Sequence, residues 1–517
     1  MLIQHLLGYY ARNNPDLPAI TFAGETITYG EMEALTNQFA NGLLELGIVK
    51  GERIAVIGEN SLAHVVMALA AAKIGAILVP FNYRLAAAEL EYVVGDSGAR
   101  LLMALSDMQD TLNAVRSLLP EDIVLMSNGL AEHTNWQEWV GGFAKTPPNC
   151  ETNEHDPYLQ LYTSGTTGYP KGVVISTFNL MSLCHMNTIA TAHRANAGDC
   201  AMVCAPLFHI AGIASIIISV YAGQHTLLHE TFDPVRILDD MEANAVGNIF
   251  MVPAMIAAVL QMPGIRERDY SALNQISYGA SPISETVLCE AMEVFQCDFT
   301  QLYGMTETAG TVVALTPADH KRALNGHPGL LLSCGRPSVG AEAKVMDGRG
   351  KEVPRSEIGE IWLKSPTNMM GYHNLPEATA SSLTDGWVHT GDAGYMDEEG
   401  YLYLKDRIKD MVVSGAENIY PVEVENAIAK HESVRDVAVI GVPDEKFGEA
   451  LLAFIVLKPD EELTVDGLIT FCRDKIAGYK IPRQMQIIEE LPRNPSGKIL
   501  KKILREPYWE GKDRVIG

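Results

Sequence analysis

Hydrophobic positions in the first fifty residues follow two different periods. Residues 19–22 and 26–29 have strand character on either side of Gly24, which predicts a hairpin. The next stretch has apolar residues at steps of three and four and ends at Gly47, so it predicts a helix. The apolar stripe of that helix consists of Met32, Leu35, Phe39, Leu43 and Leu46.

A strand–helix–strand order follows this helix. Residues 53–58 and 76–80 are short apolar runs typical of buried strands, and the alanine-rich residues 61–73 between them are typical of a helix. Strands joined through a helix lie parallel in one sheet, with helices on its faces. The same alternation returns over residues 247–252 and 277–279. The predicted fold class is therefore α/β, with parallel α/β subdomains in a large N-terminal domain.

The pattern changes after about residue 335. Short strand-like runs separated by Gly, Pro and Asp predict a small antiparallel β subdomain, and they are residues 342–346, 359–364 and 401–404. Residues 406–410 (DRIKD) are predicted to be a charged linker, which follows a strand and precedes a new α+β pattern. That pattern predicts helices over 422–430 and 465–476 and strands over 436–442 and 451–457. We therefore predict a large domain over residues 1–408 and a small α+β domain over residues 409–517.

Length and composition indicate a large globular chain. The 517 residues are 47% hydrophobic and 20% charged, so there is apolar material for two to four folding units. The formal charge of −25 argues against binding to nucleic acid or to anionic membranes. Basic residues concentrate in residues 473–514, with 11 Lys and Arg against 6 Asp and Glu. If the protein binds phosphate groups, this basic C-terminal segment is where we expect part of the binding site.

Neither secretion nor membrane insertion is indicated. The eight cysteines are scattered without a CxxC pair, which is typical of reduced thiols in a cytoplasmic protein, and the N-terminal residues lack the pattern of a signal peptide. Residues 200–223 are long and apolar enough for a span. However, Pro206, His209 and the lack of flanking basic clusters favour a buried strand–loop–helix. We predict a cytoplasmic location and no integral membrane span.

Residues 162–173, YTSGTTGYPKGV, are the strongest chemical signal. Glycines allow close approach and unusual backbone angles, so successive N–H groups can point into one concavity. Hydroxyls and one lysine complete a site suited to polyphosphate, although the spacing is not that of a Walker A loop. The alternative is a polar surface loop, which twelve specific residues in this order disfavour. The predicted ATP-binding residues here are Thr163, Ser164, Gly165, Thr166, Thr167, Gly168 and Lys171.

Four more segments follow in order, and they are residues 301–308 (QLYGMTET), 387–392 (WVHTGD), 406–410 (DRIKD) and 492–498 (PRNPSGK). With the first loop they closely resemble the adenylate-forming superfamily of acyl-CoA synthetases, luciferases and peptide-synthetase adenylation domains. The resemblance spans nearly the whole chain. It is strongest to bacterial fatty-acyl-CoA ligases, with aryl-acid ligases close behind. It implies an adenylation domain over residues 1–408 and a mobile C-terminal domain that carries the catalytic lysine.

The resemblance implies a two-step reaction. A carboxylate attacks the α-phosphate of ATP to give acyl-AMP and pyrophosphate, and the thiol of coenzyme A then displaces AMP. Thr306 would bind the α-phosphate, and Glu307 would supply an oxygen ligand to Mg²⁺, a hard cation. The other implied nucleotide contacts are Tyr303, Gly279, Ala280 and Ser281 around adenine, and Asp392 and Arg407 at the ribose. ATP, coenzyme A and an apolar carboxylic acid are the expected ligands, with Mg²⁺ as cofactor.

Lys498 is predicted to be catalytic in the first step. Charge that develops on the attacking carboxylate and the α-phosphate needs a cation that also excludes water, and a lysine on a Pro/Ser/Gly loop provides one. The alternative is a solvated surface charge, because Lys498, Lys502 and Arg505 fall at helical spacing. The preceding residues PRNPSG favour the catalytic interpretation.

Residues 206–212, PLFHIAG, resemble the segment that lines the acyl pocket of these enzymes. His209 would stand between the pocket and the nucleotide, and we count it with Lys498 and Thr306 among the catalytic residues. A hydrogen-bonded core histidine is the alternative. The predicted acyl-pocket residues are His209, Ile210, Ala211, Gly212 and Gly304. Small residues after His209 favour a long or wide acyl group, and the lack of an Asp here disfavours amino acids.

The resemblance also implies how the C-terminal domain works. Relatives pivot at the position of Lys409, which is therefore the predicted hinge. Ser414 and Gly415 would line the coenzyme A channel, with Gly415 letting the pantetheine arm pass close to the backbone. Ala416 departs from the pattern, because relatives commonly carry Gly there.

The leading hypothesis is an acyl-CoA synthetase for a medium- or long-chain fatty acid. The alternatives are an aryl-acid (coumarate- or ferulate-type) CoA ligase and an acyl-AMP ligase that loads a carrier protein, although the insertion such ligases carry near Asp406 is missing. Luciferase-like oxygenation of acyl-AMP is a further alternative, which no residue singles out. A non-enzymatic binding module would be expected to have lost Glu307 or Lys498. A homodimer is the assembly considered.

Overall fold

The structure is a computed structural model that describes residues 2–85, 87–105, 108–115, 119, 123–127, 134–163, 170–191, 195–281, 283–407, 410–414, 417–444, 447–473, 475–493 and 497–510. Within these residues the strands form four sheets. Two large sheets belong to the N-terminal part of the chain. A small antiparallel sheet follows, and the last sheet belongs to the C-terminal part.

The first part of the chain supplies most of an eight-stranded sheet. Its elements are α1 (Ile3–Asn13), β1 (Pro18–Phe22), β2 (Glu25–Thr28), α2 (Tyr29–Glu45), β3 (Arg53–Ile57), α3 (Leu62–Ile74), β4 (Ile77–Phe81), α4 (Ala87–Ser97), β5 (Ala99–Ala104), α5 (Gln109–Val115), β6 (Val124–Ser127), β7 (Thr134–Asn135), α6 (Trp136–Val140), β8 (Pro157–Thr163), β9 (Lys171–Ser176) and α7 (Thr177–Thr191). The predicted hairpin is β1–β2, and the predicted parallel unit is β3–α3–β4.

The second part builds a nine-stranded sheet. Its elements are β10 (Cys200–Val203), α8 (Ile210–Ala222), β11 (His225–Leu228), α9 (Pro234–Ala243), β12 (Asn248–Met251), α10 (Pro253–Leu260), β13 (Gln275–Gly279), α11 (Glu285–Phe295), β14 (Asp298–Met305), β15 (Gly310–Leu315), α12 (Pro317–Leu324) and β16 (Arg336–Pro337). The strand order is β16-β15-β14-β13-β12-β10-β11-β1-β2, and the six strands from β14 to β1 are parallel.

The apolar stretch over residues 200–223 forms β10, a loop and α8, which confirms the strand–loop–helix expected there. Helix α8 has 13 residues and ends at Gly223, a left-handed C-cap with φ of 69°. Across the described ranges, no helix combines the length and the apolar character needed to cross a bilayer.

The third part is a small antiparallel sheet, as the sequence predicts. Its elements are β17 (Glu342–Met346), β18 (Gly359–Lys364), β19 (Gly371–Tyr372), α13 (Pro376–Ser382), β20 (Leu383–Thr384), β21 (Trp387–Met396) and β22 (Leu402–Arg407). Strand β19 leaves this sheet and pairs antiparallel with β9, which completes the eight-stranded order β19-β9-β8-β4-β3-β5-β6-β7.

The predicted linker begins later than its charges suggest. Asp406 and Arg407 are the last residues of β22, where Ala393 pairs with Asp406 and Asp392 with Arg407 across β21. Ladder hydrogen bonds to a neighbouring strand hold these charged residues in extended backbone, an interaction that the local sequence does not reveal. Assigning the whole of residues 406–410 to a linker was therefore wrong by two residues.

The C-terminal part is the α+β unit predicted from the sequence. Its elements are β23 (Val412–Ser414), β24 (Glu417–Ile419), α14 (Pro421–Ile428), β25 (Val434–Asp444), β26 (Gly448–Leu457), α15 (Val465–Cys472), β27 (Gln484–Ile487) and α16 (Lys501–Trp509). Helix α16 begins at Lys501, so Lys498 precedes the helix and does not share a helical face with Lys502 and Arg505. This removes the helical-spacing basis for treating Lys498 as one more surface charge.

Helix α3 lies inside the N-terminal part and belongs to the core that joins the two large sheets. Residues 63–74 of this helix are all buried, as expected for a helix that is apolar on every side. Its one lysine, Lys73, pairs with Glu33 of α2 at 2.7 Å, because a buried charge requires a partner. The core is therefore shared, and the two sheets form one scaffold for what lies at their edges.

Candidate active site

The site forms at the carboxyl edge of the nine-stranded sheet, where its parallel strands end. Strand β10 leads into the loop over residues 206–209, β13 leads into Ala280 and Ser281, and β14 leads into Thr306. The strand ends lie side by side, because Gly279 pairs with Leu302 across β13 and β14. Ligands of open α/β sheets bind in the crevice outside this edge. The fold therefore brings together three segments that are distant in the chain.

The predicted adenine wall is a tight turn of small residues. A Cβ atom at Gly279 would lie 2.2 Å from the backbone oxygen of Leu302, so a side chain cannot be accommodated there. Ala280 follows with φ of 69°, the left-handed region that residues other than glycine seldom adopt. Such strain is often retained at functional sites. The turn leaves Ala280 exposed and Ser281 half-buried at the carboxyl edge.

Tyr303 of β14 and Asp392 of β21 meet across two sheets. The Tyr303 hydroxyl donates a hydrogen bond to Asp392 Oδ2 at 2.7 Å. Burial and the adjacent Asp392 charge raise the pKa of Tyr303 well above its ordinary value, so the phenol stays a neutral donor. Arg407 pairs with Asp392 through the backbone, and its side chain lies outside the described atoms. The residues predicted for adenine and ribose are therefore neighbours.

The predicted phosphate loop joins two antiparallel strands. Thr163 ends β8, Lys171 begins β9, and the two are cross-strand partners. Residues 164–169 between them lie outside the described ranges, and they include the predicted ATP-binding residues Ser164, Gly165, Thr166, Thr167 and Gly168. The strand ends fix where the loop starts and where Lys171 stands.

Tyr372 links Lys171 to Glu307. Its hydroxyl donates a hydrogen bond to Glu307 Oε1 at 2.8 Å, and the Lys171 ammonium lies 5.0 Å from the centroid of its ring. Burial, followed by the Glu307 charge, raises the pKa of Tyr372, so the hydroxyl remains protonated. The ring and hydroxyl therefore bridge the residues predicted for phosphate and for metal.

Tyr372 is absent from the residues predicted from the sequence. It reaches the site because β19 adds to the edge of β9, with Tyr372 opposite Val173. Its partner Glu307 is 65 residues away in the chain. The only available signal was a short Gly-Tyr run after a β segment, which identifies no partner.

The donor set around Glu307 fits Mg²⁺ bound together with ATP. Glu307 is buried, in the 3₁₀ turn Thr306–Thr308, and its backbone oxygen accepts a hydrogen bond from the Met369 N–H at 2.8 Å. Over the described residues, no group of three or more His, Cys, Asp or Glu side chains could hold a metal ion. Mg²⁺ commonly takes one or two protein carboxylates and completes its octahedron with phosphate oxygens and water. A buried carboxylate that shares the contact residue Tyr372 with Lys171 suits this mode of binding.

His209 is the N-cap of α8, and its backbone oxygen accepts hydrogen bonds from Gly212 at 3.0 Å and Ile213 at 3.2 Å. The ring packs 4.5 Å from Phe208, and its Nε2 atom is buried without a hydrogen-bond partner among the described atoms. Burial, with the charge of nearby Arg84, lowers the pKa of His209 to about 4. The imidazole is therefore neutral at pH 7, and its unpartnered nitrogen does not match a hydrogen-bonded core histidine.

Two glycines allow close packing next to Ile210. A Cβ at Gly304 would lie 1.7 Å from the backbone oxygen of Gly310, so these segments touch. A Cβ at Gly310 would lie 3.6 Å from Leu183 and 3.7 Å from Ile210, both apolar. Gly310 and Leu183 were missed by sequence reasoning because the contacts join separate elements.

The structure explains the small residue at Gly212 differently from the sequence, which related it to the length of the acyl group. A Cβ there would lie 2.2 Å from the backbone oxygen of Pro206, so the glycine allows the loop to pack against the first turn of α8. Ala211 is in the same turn, and its backbone oxygen accepts a hydrogen bond from the Ser215 hydroxyl at 2.7 Å. Close backbone packing therefore accounts for the glycine without reference to acyl length.

A cavity of about 330 Å³ lies where the C-terminal part meets the carboxyl edge. Its lining includes Arg84, Pro206, Glu230, Val252, Arg493 and Gly497. We call residues 492–498 (PRNPSGK) the lysine loop. Because Gly497 directly precedes Lys498, the end of this loop is at the boundary.

The remaining predicted residues belong to the C-terminal part. Ser414 ends β23 and pairs with Glu417 and Gly448 within the last sheet. The predicted hinge Lys409 and the predicted channel residue Gly415 lie outside the described residues.

The hydrogen bonds of Tyr303 to Asp392 and of Tyr372 to Glu307 agree with the site expected of an ATP-using, adenylate-forming enzyme. The chain matches the AMP-binding enzyme family over residues 9–373 and the AMP-binding enzyme C-terminal domain over residues 423–498. The protein therefore belongs to the AMP-binding enzyme family and is an AMP-forming acid–thiol ligase.

Similar proteins extend over almost the whole chain. A fatty acid–[acyl-carrier-protein] ligase, ScoC, from Streptomyces coeruleorubidus is 36% identical, covering 98% of this chain and 96% of the relative. A feruloyl-CoA synthase from an Amycolatopsis species is 34% identical, covering 96% and 97%. The solved Mycobacterium tuberculosis fatty acyl CoA synthetase is 32% identical with a TM-score of 0.78, covering 99% of both chains. The predicted superfamily and fold are confirmed.

Proposed function

We propose that this protein is an acyl-CoA synthetase that converts a medium- or long-chain fatty acid, ATP and coenzyme A into acyl-CoA, AMP and pyrophosphate. The observation that carries the proposal is the apolar packing around Ile210, the predicted acyl-pocket residue that follows His209. Ile210 and Leu183 both lie within van der Waals distance of the Cβ position at Gly310, and the imidazole of His209, which precedes Ile210, is neutral. An uncharged hydrocarbon chain suits this lining, because burying an unpaired charge there would be costly.

The first step uses residues from both large sheets. The Thr163–Lys171 hairpin holds the β- and γ-phosphates, and Thr306 donates its hydroxyl to the α-phosphate. When bound at Glu307, Mg²⁺ neutralises part of the phosphate charge. Lys498 stabilises the charge that develops as the carboxylate attacks, because an ammonium in a water-poor site acts strongly there.

The second step requires the C-terminal domain to rotate, and we place the pivot at Lys409. Up to Arg407 the chain is held by β21 of the N-terminal part. Asp410 is instead paired with Arg505 of α16 at 2.6 Å, within the C-terminal part. The two flanking residues are anchored to different bodies, so dihedral changes between them would move one body against the other. This supports a domain boundary between residues 408 and 409, and Ser414 and Gly415 would then line the path of coenzyme A.

A pyrophosphate-release screen tests the proposed function. The purified protein would be given ATP, Mg²⁺ and acids in four groups: straight-chain fatty, branched, aryl and dicarboxylic. We expect the highest kcat/KM for straight chains of about 8 to 16 carbons, since each buried CH₂ contributes roughly 0.8 kcal/mol. If turnover were highest with ferulate or coumarate, the proposed substrate would be an aryl acid and not a fatty acid.

Transfer to a carrier protein is a second candidate, because ScoC covers 98% of this chain. The screen is repeated with coenzyme A or with a phosphopantetheinylated acyl carrier protein as the thiol. Mass spectrometry of the thioester distinguishes the acceptors. Acyl-CoA as the product supports the main proposal, and acylated carrier protein without acyl-CoA overturns it.

Two further proposals concern the location of the protein in the cell and its oligomeric state. We propose a cytoplasmic location and a homodimer. Fractionation of expressing cells tests the first. Size-exclusion chromatography with light scattering tests the second, because the 517-residue chain and its dimer differ two-fold in mass.

A further inference from the structure

We propose that Arg493 is a positioning residue that orients Lys498 for acyl-AMP formation, acting through a clamp with Asp436. The inference rests on the role proposed for Lys498 and adds two residues that neither motif spacing nor family membership assigns.

The clamp is built from both ends of the Arg493 guanidinium. Nη1 donates a hydrogen bond to the backbone oxygen of Gly497 at 2.6 Å, and Nη2 pairs with Asp436 Oδ2 at 2.5 Å. Asp436 belongs to β25, which pairs antiparallel with β26 along its length in the sheet of the C-terminal domain. The guanidinium therefore ties the end of the lysine loop to the rigid sheet of its own domain.

The backbone closes the same loop. Arg493 and Ile499 form an antiparallel bridge, and the Leu500 N–H donates to the Pro492 oxygen at 2.8 Å. These contacts bring the two ends of the loop together. The hydrogen bond from the Arg493 guanidinium to Gly497 adds a side-chain contact to these backbone contacts, one residue before Lys498.

The position of the captured oxygen is what matters for Lys498. The Gly497 carbonyl belongs to the peptide unit that connects directly to Lys498, and a peptide unit is planar. Holding the Gly497 oxygen in place therefore also fixes the orientation of the peptide plane that contains the backbone nitrogen of Lys498. A guanidinium suits this task because its donors form a rigid fork, whereas a lysine would offer one rotatable point charge.

The clamp also holds an unusual backbone conformation. Gly497 has φ of 77°, in the left-handed region that favours glycine. A Cβ at this position would lie 3.3 Å from the Ala254 side chain and 3.5 Å from Val252, so Gly497 rests against the end of β12. Met251 of that strand pairs with Tyr278, next to the predicted adenine wall. The clamped residue is thus docked at the carboxyl edge, and Lys498 follows it.

Stability does not explain the pair. The Arg493 and Asp436 side chains are 33% and 30% exposed, and ion pairs this accessible to water contribute little to folding. Their specific contribution is geometric. Since both residues belong to the C-terminal domain, the clamp does not depend on contact with the N-terminal domain.

The test compares the two half-reactions in single-site variants. Acyl-AMP formation is followed as single-turnover pyrophosphate release with dodecanoic acid, and thioester formation is followed from supplied dodecanoyl-AMP and coenzyme A. We expect Arg493→Gln and Asp436→Asn to slow the first at least ten-fold and to change the second less than two-fold. Arg493→Lys should fall between wild type and Arg493→Gln.

Arg435→Gln is the matched control. Arg435 is an exposed residue of the same strand as Asp436, and its Nη2 donates to the Glu489 backbone oxygen at 3.0 Å, away from the lysine loop. Hydrogen exchange gives a second readout that needs no substrate. Arg493→Gln should increase exchange in the peptide over residues 497–500 at least three-fold, and Arg435→Gln should leave it unchanged.

Three outcomes would overturn the inference, and Lys498→Ala separates the first two. If Lys498→Ala slows the first half-reaction selectively but Arg493→Gln does not, Arg493 has no positioning role and the proposed function stands. If Lys498→Ala itself slows both half-reactions equally, the proposed role of Lys498 fails and the inference fails with it. Unchanged hydrogen exchange over residues 497–500 in Arg493→Gln would also reject the clamp.

Discussion

The Tyr372 hydroxyl donates a hydrogen bond to Glu307 Oε1 at 2.8 Å, between residues that come from different sheets. Because the same ring lies against Lys171, one tyrosine sets the spacing between a cation and an anion that are both predicted to face the nucleotide phosphates. Removing only its oxygen tests whether this spacing matters.

We predict that Tyr372→Phe raises the Mg²⁺ concentration needed for half-maximal pyrophosphate release by roughly ten-fold, about 1.4 kcal/mol, the scale of a hydrogen bond to a charged group. Binding of ATP with Mg²⁺, measured by calorimetry, should weaken similarly. Tyr401→Phe is the control, because its hydroxyl donates to buried Asp319 at 2.6 Å outside the site. It should lower the melting temperature and leave the Mg²⁺ titration unchanged. Equal titrations in both variants would reject the bridge.

Lys498→Ala should reduce acyl-AMP formation roughly one hundred- to one thousand-fold, the usual cost of removing a donor aimed at developing charge. Thioester formation from supplied acyl-AMP should stay near the wild-type rate, because that step has a different transition state. Lys502→Ala is the matched control, since Lys502 is exposed on α16. A similar loss in Lys502→Ala would show that the basic end acts as a general charged surface.

Lys409→Pro should block the rotation between half-reactions. Proline fixes φ near −65° and removes an N–H, so a pivot there can no longer change its backbone angles. Single-turnover pyrophosphate release should remain near normal, and thioester formation should fall at least roughly ten-fold, or about 1.4 kcal/mol. Both rates and the melting temperature are measured on one preparation. Parallel losses with a lower melting temperature would indicate damage to folding.

His209 should make the protein less stable in mild acid. Burial lowers its folded-state pKa from the ordinary 6.5 to about 4, so between these pH values the unfolded chain binds the proton and the folded chain does not. Stability is therefore lost as pH falls from about 6.5 towards 4. His209→Gln cannot titrate, and its melting temperature should fall less over this window. Identical pH dependence in both proteins would mean that His209 titrates normally when folded.

The sequence predicted those features that depend on local spacing. The stripe from Met32 to Leu43 is part of α2, with Leu46 at its C-cap, and the short apolar runs are β3 and β4. Hydrophobic periodicity predicts these elements because it reports which face each one buries. The ordered motifs likewise indicated that Tyr303 and Asp392 serve one site, and the structure joins them by a hydrogen bond.

Features that depend on pairing between distant segments could not be predicted. Strand β22 continues through Arg407 because β21 offers hydrogen bonds, whereas the local sequence is charged like a linker. Tyr372 needs β9 as a neighbour, and Gly212 is small because Pro206 approaches it. In each case the cause lies on another element, and a single sequence does not show which elements meet.

The edge strand β19 has a consequence for synthesis of the protein. A ribosome produces Lys171 and Glu307 before Tyr372, so a nascent chain that stops before residue 371 lacks the residue that joins them. Strand β1 also has to be synthesised long before its partner, because Ile20 pairs with Thr226 of β11, two hundred residues later. Long-range pairings of this kind form late and slowly. Each large sheet needs a strand from a distant part of the chain. A translation product that ends before residue 371 therefore cannot assemble the predicted nucleotide site.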